Sequence, residues 1–286
     1  MIFECQCANV ALALLGLLIV VYAVNRTARY YIRATLFYLT VFLDSMICMI
    51  TCIPFSFFGH ASAVVLFTLR WLAVWTGINV EARGYDRVYS QITTPCVTVC
   101  NHQSAIDTLV MAHAFPPRGT VMMKRSLMYI PLFNITSWLC SVIFVDRFNR
   151  ERAMKAVEQC TDALTKKNLR LWVFPEGTRN RTTDDMLPFK KGAFNIAVQA
   201  QIPIVPVVAS SFKCFYSNTE RYFDSDGEII IEIMDPIPTK GLTMDDVPAL
   251  ADEVREKMIA VFHRITEEVN EKMAIKRGLT TTKKDD

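Results

Sequence analysis

At about Val80 the chain changes character, and no other feature limits its fold as much. Ahead of that point lie long apolar stretches. Behind it, short β-branched runs alternate with amphipathic helical patterns. The strand candidates are Val80–Arg83, Cys96–Cys100, Thr120–Met123, Val142–Val145, Arg170–Phe174, Ile204–Val208 and Glu228–Met234. Between Val145 and Arg170, the positions Ala153, Ala156, Val157, Cys160, Ala163 and Leu164 keep helical spacing on one face. Gly192 to Gln201 reads as a second helix, stopped by Pro203. A last, long helix starts near Asp245 and buries Leu250, Val254, Met258, Val261, Ile265 and Val269, leaving His263 on the surface. Strands alternating with helices predict an α/β domain with a mixed, largely parallel sheet flanked by helices.

Hydrophobic residues make up 52% of the chain, and the excess lies near its start. Ala11 to Val24 is apolar with Gly16 its only pause. No basic stretch precedes it and no small-residue cleavage site follows, so it reads as a retained anchor rather than a removed signal. Arg26, Arg29 and Arg33, interleaved with Tyr30 and Tyr31, have the composition of the cytoplasmic edge of a membrane segment. Ala34 to Phe58 is long enough to span, despite Asp44 and Pro54, whereas Ala61 to Ile78 is shorter and interrupted by Arg70. These two runs either cross the bilayer or form a hairpin dipping into one leaflet around Pro54–Gly59. Both arrangements return the chain to the cytoplasmic side.

A net charge of +3 without a Lys/Arg-rich tract excludes nucleic acid as a partner. The nine cysteines contain no Cys-x2-Cys pair and are odd in number, which fits neither a zinc site nor a disulfide framework. They read as buried thiols of a reducing compartment. No Gly-x-Ser-x-Gly occurs, against a serine hydrolase. The phosphate-cradling glycine loops of nucleotide enzymes are also missing.

Two polar turns carry the chemistry. The run Cys96–Cys100 ends in Asn101-His102-Gln103-Ser104-Ala105-Ile106-Asp107, so a histidine stands at a strand end with a carboxylate five residues on. That suits a general base and the group that orients it. Ser104 and Asp107 also make the Ser-x-x-Asp form of a capping box, an ordinary helix start. The second turn, Phe174-Pro175-Glu176-Gly177-Thr178-Arg179, again follows an apolar strand. Its glycine allows close backbone approach, its threonine offers a hydroxyl, and its arginine presents a planar fork suited to phosphate. Lys124-Arg125 and Asp146-Arg147 follow two more strand candidates, and Lys190 and Lys191 are further cations. Strand ends gather on one edge of a parallel sheet, which would set one histidine among several cations. His60 and His113 carry no motif.

These residues resemble the membrane glycerolipid acyltransferases, specifically the 1-acyl-glycerol-3-phosphate (lysophosphatidate) acyltransferases. Asn-His-x4-Asp at His102 and Asp107 is similar to the family's first motif. Lys124-Arg125 with Ile143–Arg147 is similar to the second, Phe174–Arg179 to the third, and Ile202–Val207 to the fourth. Ser126 departs from the usual glutamate, and Ser137 or Ser141 from a common glycine. The resemblance runs from roughly Val80 to Met273. It implies acyl transfer from acyl-CoA, a co-substrate, to lysophosphatidic acid, with no cofactor and no metal. His102 and Asp107 are then the catalytic pair, and Lys124, Arg147, Glu176, Gly177, Thr178 and Arg179 bind substrate. The expected organisation is a membrane-anchoring region 1–78, an acyltransferase domain 79–276 and a disordered tail 277–286. Lys283-Lys284-Asp285-Asp286 resembles a dilysine retrieval signal, which implies the endoplasmic-reticulum membrane with the catalytic domain in the cytosol.

Overall fold

The alternation that begins at Val80 builds one seven-stranded sheet. The structure, a computed structural model, describes residues 12, 16, 19–131, 133–145, 150–180 and 185–279. Its sheet strands are β1 (Asn79–Arg83), β2 (Cys96–Cys100), β3 (Gly119–Lys124), β4 (Ile143–Val145), β5 (Arg170–Val173), β6 (Ile204–Ala209) and β9 (Glu228–Ile233). A separate ribbon pairs β7 (Tyr216–Ser217) with β8 (Tyr222–Phe223). The helices are α1 (Arg26–Thr51), α2 (Ala61–Leu72), α3 (Asp107–Ala114), α4 (Phe133–Leu139), α5 (Arg150–Lys167), α6 (Gly192–Ala200) and α7 (Val247–Lys276), besides shorter helical turns. Every strand expected from the sequence is present, each with its ends within one residue of the expectation.

The strand order is β1-β9-β6-β2-β5-β3-β4, and among these neighbours only β6 and β9 run antiparallel. All five residues of β2 are buried because helices cover both of its faces. On one face Val97, Val99, Leu171, Ile204 and Val208 pack against α5, α6 and α7. On the other, Cys96, Cys100, Trp172, Val205 and Val207 pack against Ile106, Leu109 and Val110 at α3. Helix α7 buries Leu250, Val254, Met258, Ile265 and Val269 as expected, but its stripe passes through Phe262 rather than Val261. His263 is exposed and reaches Asp185 at 3.3 Å. Ser141 has φ 54, the left-handed region in which a glycine costs less. It, and not Ser137, therefore occupies the glycine-like place.

The N-terminal helices differ from the simplest reading of their hydropathy. Arg26, Arg29 and Arg33 lie within the first turns of α1 instead of beside it. The stripe Tyr30, Arg33, Phe37, Asp44, Ser45 and Cys48 is buried along the length of the helix. The Arg33 guanidinium donates to the Thr76 carbonyl and lies over the Phe223 ring, and Tyr30 bonds Asn218. Asp44 accepts from the Thr68 hydroxyl of α2. Arg33, Asp44 and Ser45 of α1 thus face protein, while Leu36, Leu39, Leu43, Ile47 and Ile50 point outward and exposed. An uncovered apolar stripe of that length is what a lipid-facing helix presents. α1 is the one described helix long and apolar enough to cross a membrane. α2 has 12 residues, about 18 Å, too short for a hydrocarbon core of about 30 Å. The chain turns at Ile53–His60, with Gly59 at φ 71, and α2 returns along α1. Of the expected anchor Ala11–Val24 the residues 12, 16 and 19–24 are described, all helical, and of the expected tail only residues 277–279.

Candidate active site

Because β2, β5, β3 and β4 are mutually parallel neighbours, their C-terminal ends share one sheet edge. His102 leaves β2 at that edge, the Glu176 turn leaves β5 beside it, and Lys124 closes β3 one strand further out. The edge predicted from four separate strand ends is thus a single contiguous rim.

The first turn is built around one carboxylate oxygen. Asp107 Oδ2 lies 2.7 Å from His102 Nδ1 and accepts the backbone N–H groups of Gln103 at 2.8 Å and Ser104 at 2.9 Å. Ser104 Oγ in turn accepts from the Ile106 N–H at 3.0 Å. The reciprocal capping pattern and the histidine contact therefore coexist in one geometry. Asp107 is 2% exposed, and its Oδ1 has no hydrogen-bond partner among the described residues. The His102 ring stacks on Phe174 at 4.1 Å and 18°, and 20% of its side chain stays exposed. With Nδ1 held by Asp107, the other ring nitrogen is the one left for a reacting group.

Two partners fix the backbone of His102. Its N–H donates to Glu176 Oε1 at 2.7 Å, and its carbonyl accepts from the Asn180 N–H at 2.8 Å. The second Glu176 oxygen accepts from the Leu187 N–H at 3.0 Å. Glu176 is 2% exposed, and burial pushes its carboxyl above the ordinary range despite those two donors. Both oxygens of this carboxylate are engaged by backbone N–H groups, and Glu176 also lines a polar cleft on the β6 side. Gly177 has φ 69, which a side chain rarely adopts, so the turn's geometry already demands glycine there. Thr178 is exposed and Arg179 half-buried. Burial and then Tyr30 push the Tyr216 phenol of β7 up, and the Arg179 charge opposes that shift. Lys124 is exposed on the β3 side, and Arg147 lies outside the described residues.

Sequence reasoning missed the wall on the β6 side. Asn101 continues the β2–β6 ladder with its amide, donating to the Ala209 carbonyl and accepting from the Ala209 N–H, both at 2.9 Å. Gln103 bonds the Ser210 carbonyl at 2.9 Å and the Phe212 N–H at 3.2 Å. A polar cleft opens there between Asn101, Gln103, Lys213, Asn218 and Phe262. Only the asparagine in front of His102 hinted at it. Cys100, next in line to His102, is fully buried, and burial followed by the Asp107 and Glu176 charges pushes its thiol far up. It is no nucleophile. Among the described residues no cluster of His, Cys, Asp and Glu could hold a metal ion.

This sheet edge, with its His–Asp pair, lies within an acyltransferase domain: the family model described as Acyltransferase matches residues 79–210. The Caenorhabditis elegans protein acl-2 is 45% identical over 93% of this chain and 94% of its own length. Human 1-acyl-sn-glycerol-3-phosphate acyltransferase beta is 35% identical over 91% and 92%. The mouse alpha enzyme of the same designation is 45% identical over 66% of each chain. The crystal structure of the 1-acyl-sn-glycerophosphate (LPA) acyltransferase PlsC from Thermotoga maritima superposes with a TM-score of 0.59. It is 23% identical and covers 81% of this chain and 96% of that one, a likeness in fold. The chain is an acyltransferase. It belongs to the 1-acyl-sn-glycerol-3-phosphate acyltransferase family.

Proposed function

We propose that the enzyme transfers a fatty acyl group from acyl-CoA to the sn-2 hydroxyl of 1-acyl-glycerol 3-phosphate, giving phosphatidic acid for phospholipid synthesis. The contact between His102 Nδ1 and Asp107 Oδ2 at 2.7 Å carries the reading. An alcohol attacks a thioester poorly unless its proton leaves as the bond forms, and a neutral imidazole supplies about 10²–10⁴-fold. His102 takes that proton on the nitrogen facing away from Asp107, whose charge then steadies the imidazolium. The tetrahedral adduct collapses, the carbon–sulfur bond breaks, and the proton returns to the departing thiolate. With Cys100 sealed in the core, acyl transfer runs directly from donor to acceptor without an acyl-enzyme.

Arg179 holds the acceptor's phosphate, with Lys124 and Arg147 as further cations on the rim. Gly177 and Thr178 shape the turn that presents Arg179. The assay that tests this sets acyl-CoA against lysophosphatidate, lysophosphatidylcholine and glycerol 3-phosphate with purified protein. Lysophosphatidate is expected to give the highest kcat/KM, and Arg179→Gln is expected to raise its KM by about 10-fold or more. Preference for either other acceptor would overturn the substrate assignment.

Glu176 acts as a positioning residue, clamping the His102 backbone to the β5 turn. Its raised pKa means that native protein binds this proton more tightly than the unfolded chain does. The carboxylate's stability contribution therefore declines as pH rises through that raised pKa, and at neutral pH its charge costs stability. Glu176→Gln keeps one acceptor and loses the other. We expect kcat to fall about tenfold with KM for lysophosphatidate nearly unchanged, since a small misplacement of a base is costly. A raised KM at constant kcat would return Glu176 to the substrate.

The exposed apolar face of α1 supports anchoring in one leaflet, so that a lysolipid reaches the rim without its tail crossing water. The arginines at the start of α1, Arg26 and Arg29, favour a catalytic domain on the cytosolic side of that membrane.

A further inference from the structure

Between β3 and β4 the chain makes a short helical turn, Arg125–Tyr129, and then α4. One side of α4 is packed on α1: Thr136 and Ser137 are buried, and the Thr136 hydroxyl donates to the Ser45 carbonyl at 2.9 Å. Four large apolar side chains of the described segment are uncovered. Tyr129 is 71% exposed, Trp138 77%, and Ile130 and Ile135 43% each. Lys124 and Arg125 precede them and are exposed as well. From Gly119 to Ser141 the chain holds no acidic residue.

Two observations choose what covers this patch. The Thr136–Ser45 bond packs α4 on α1 at Ser45, and on α1 the exposed Phe42 and Met46 lie within about a quarter turn of that residue. The patch therefore continues the surface assigned to lipid. Its composition is the second: tyrosine and tryptophan beside aliphatics, preceded by two cations in a stretch whose own sequence has no acid, matches the boundary between headgroups and acyl chains. We propose that residues 124–138 form a second membrane contact, with Tyr129, Ile130, Ile135 and Trp138 entering the interface of an anionic leaflet and Lys124 and Arg125 meeting its phosphates. The proposal rests on the reading that α1 lies in that leaflet. Its consequence is positional. Lys124 ends β3, on the same sheet edge as His102, so this contact fixes the depth of the catalytic rim at the level where a lysolipid carries its phosphate.

The test uses the full chain in vesicles containing anionic lipid brominated near the headgroup end of the acyl chains. Trp71→Phe with Trp75→Phe leaves Trp138 and the core Trp172, which is 1% exposed. Bromolipid is expected to quench Trp138 several-fold more than aqueous iodide does, and adding Trp138→Phe is expected to abolish the quenching. Arg125→Glu is expected to weaken it in anionic vesicles and not in zwitterionic ones. Phe42→Trp, in the background lacking Trp71, Trp75 and Trp138, reports on α1. If that variant is quenched by lipid while Trp138 answers only to iodide, the second contact is wrong and the anchor stands. If neither answers to lipid, the membrane reading itself falls. Trp138 shielded from both quenchers means that protein covers the patch, a second copy included, and this also overturns the proposal. Trp138 is exposed, so its replacement leaves the core intact, and retained acyl transfer confirms folding.

Discussion

His102→Ala lowers kcat by about 10³-fold while the KM for lysophosphatidate stays within a few-fold of the parent value. The geometry separates these two parameters. The imidazole is held at Nδ1 by Asp107 and backed by Phe174, so the ring presents one nitrogen to the reacting hydroxyl and little else to the substrate. Deleting it removes the proton acceptor and leaves the cations on the rim in place. The turn itself survives the change, because Asp107 Oδ2 keeps the N–H groups of Gln103 and Ser104, and Glu176 keeps the backbone of residue 102. An unaltered thermal midpoint with turnover near background is the expected pair of results. Steady-state kinetics on purified protein checks it, and a variant that kept full turnover would sink the mechanism.

The sheet was legible because its strands are short, β-branched runs bounded by polar turns, and its central strands are apolar on both faces. The catalytic turn was legible for a related reason. His102 and Asp107 are local to each other, so five residues of sequence hold most of the geometry. What the sequence hid is long-range. Glu176 reads as a carboxylate in a tight turn, and nothing near it announces that the N–H groups of His102 and Leu187 converge on it. Asn101 and Ala209 pair across 108 positions of chain. In α1 the hydropathy misleads in a specific way. Arg33 reads as a membrane-edge cation and Asp44 as a flaw in a span, yet both face protein, through Thr76 and Thr68. A helix with its polar side inward and its apolar side outward gives the same average as a crossing helix. Only the contacts of its buried stripe tell the two apart.

Asp107→Asn lowers kcat by about 10²–10⁴-fold, whereas Ser104→Ala costs stability and leaves turnover within a few-fold. Both residues belong to the same cap, so the comparison isolates what the carboxylate does beyond capping. Ser104→Ala removes one acceptor, the hydroxyl that receives the Ile106 N–H, for about 1 kcal/mol. In Asp107→Asn the amide oxygen can occupy the place of Oδ2 and keep the two backbone donors, with the amide nitrogen falling where Oδ1 has no partner among the described residues. The cap is then largely retained, at a loss of about 1–3 kcal/mol for exchanging charged for neutral acceptors. The negative charge beside His102 is lost outright, and the imidazolium formed during attack has nothing to balance it. The opposite amide rotamer places N–H groups against Nδ1 and forces its proton to the far nitrogen, which can then no longer act as a base. The first rotamer spares the turn, the second sets donor against donor at Gln103 and Ser104, and either one disables the histidine. Denaturant midpoints and kcat measured side by side decide the matter. If Asp107→Asn matches Ser104→Ala in both, the carboxylate is a helix cap alone, and His102 must find its orientation from the Phe174 ring and the Glu176 clamp.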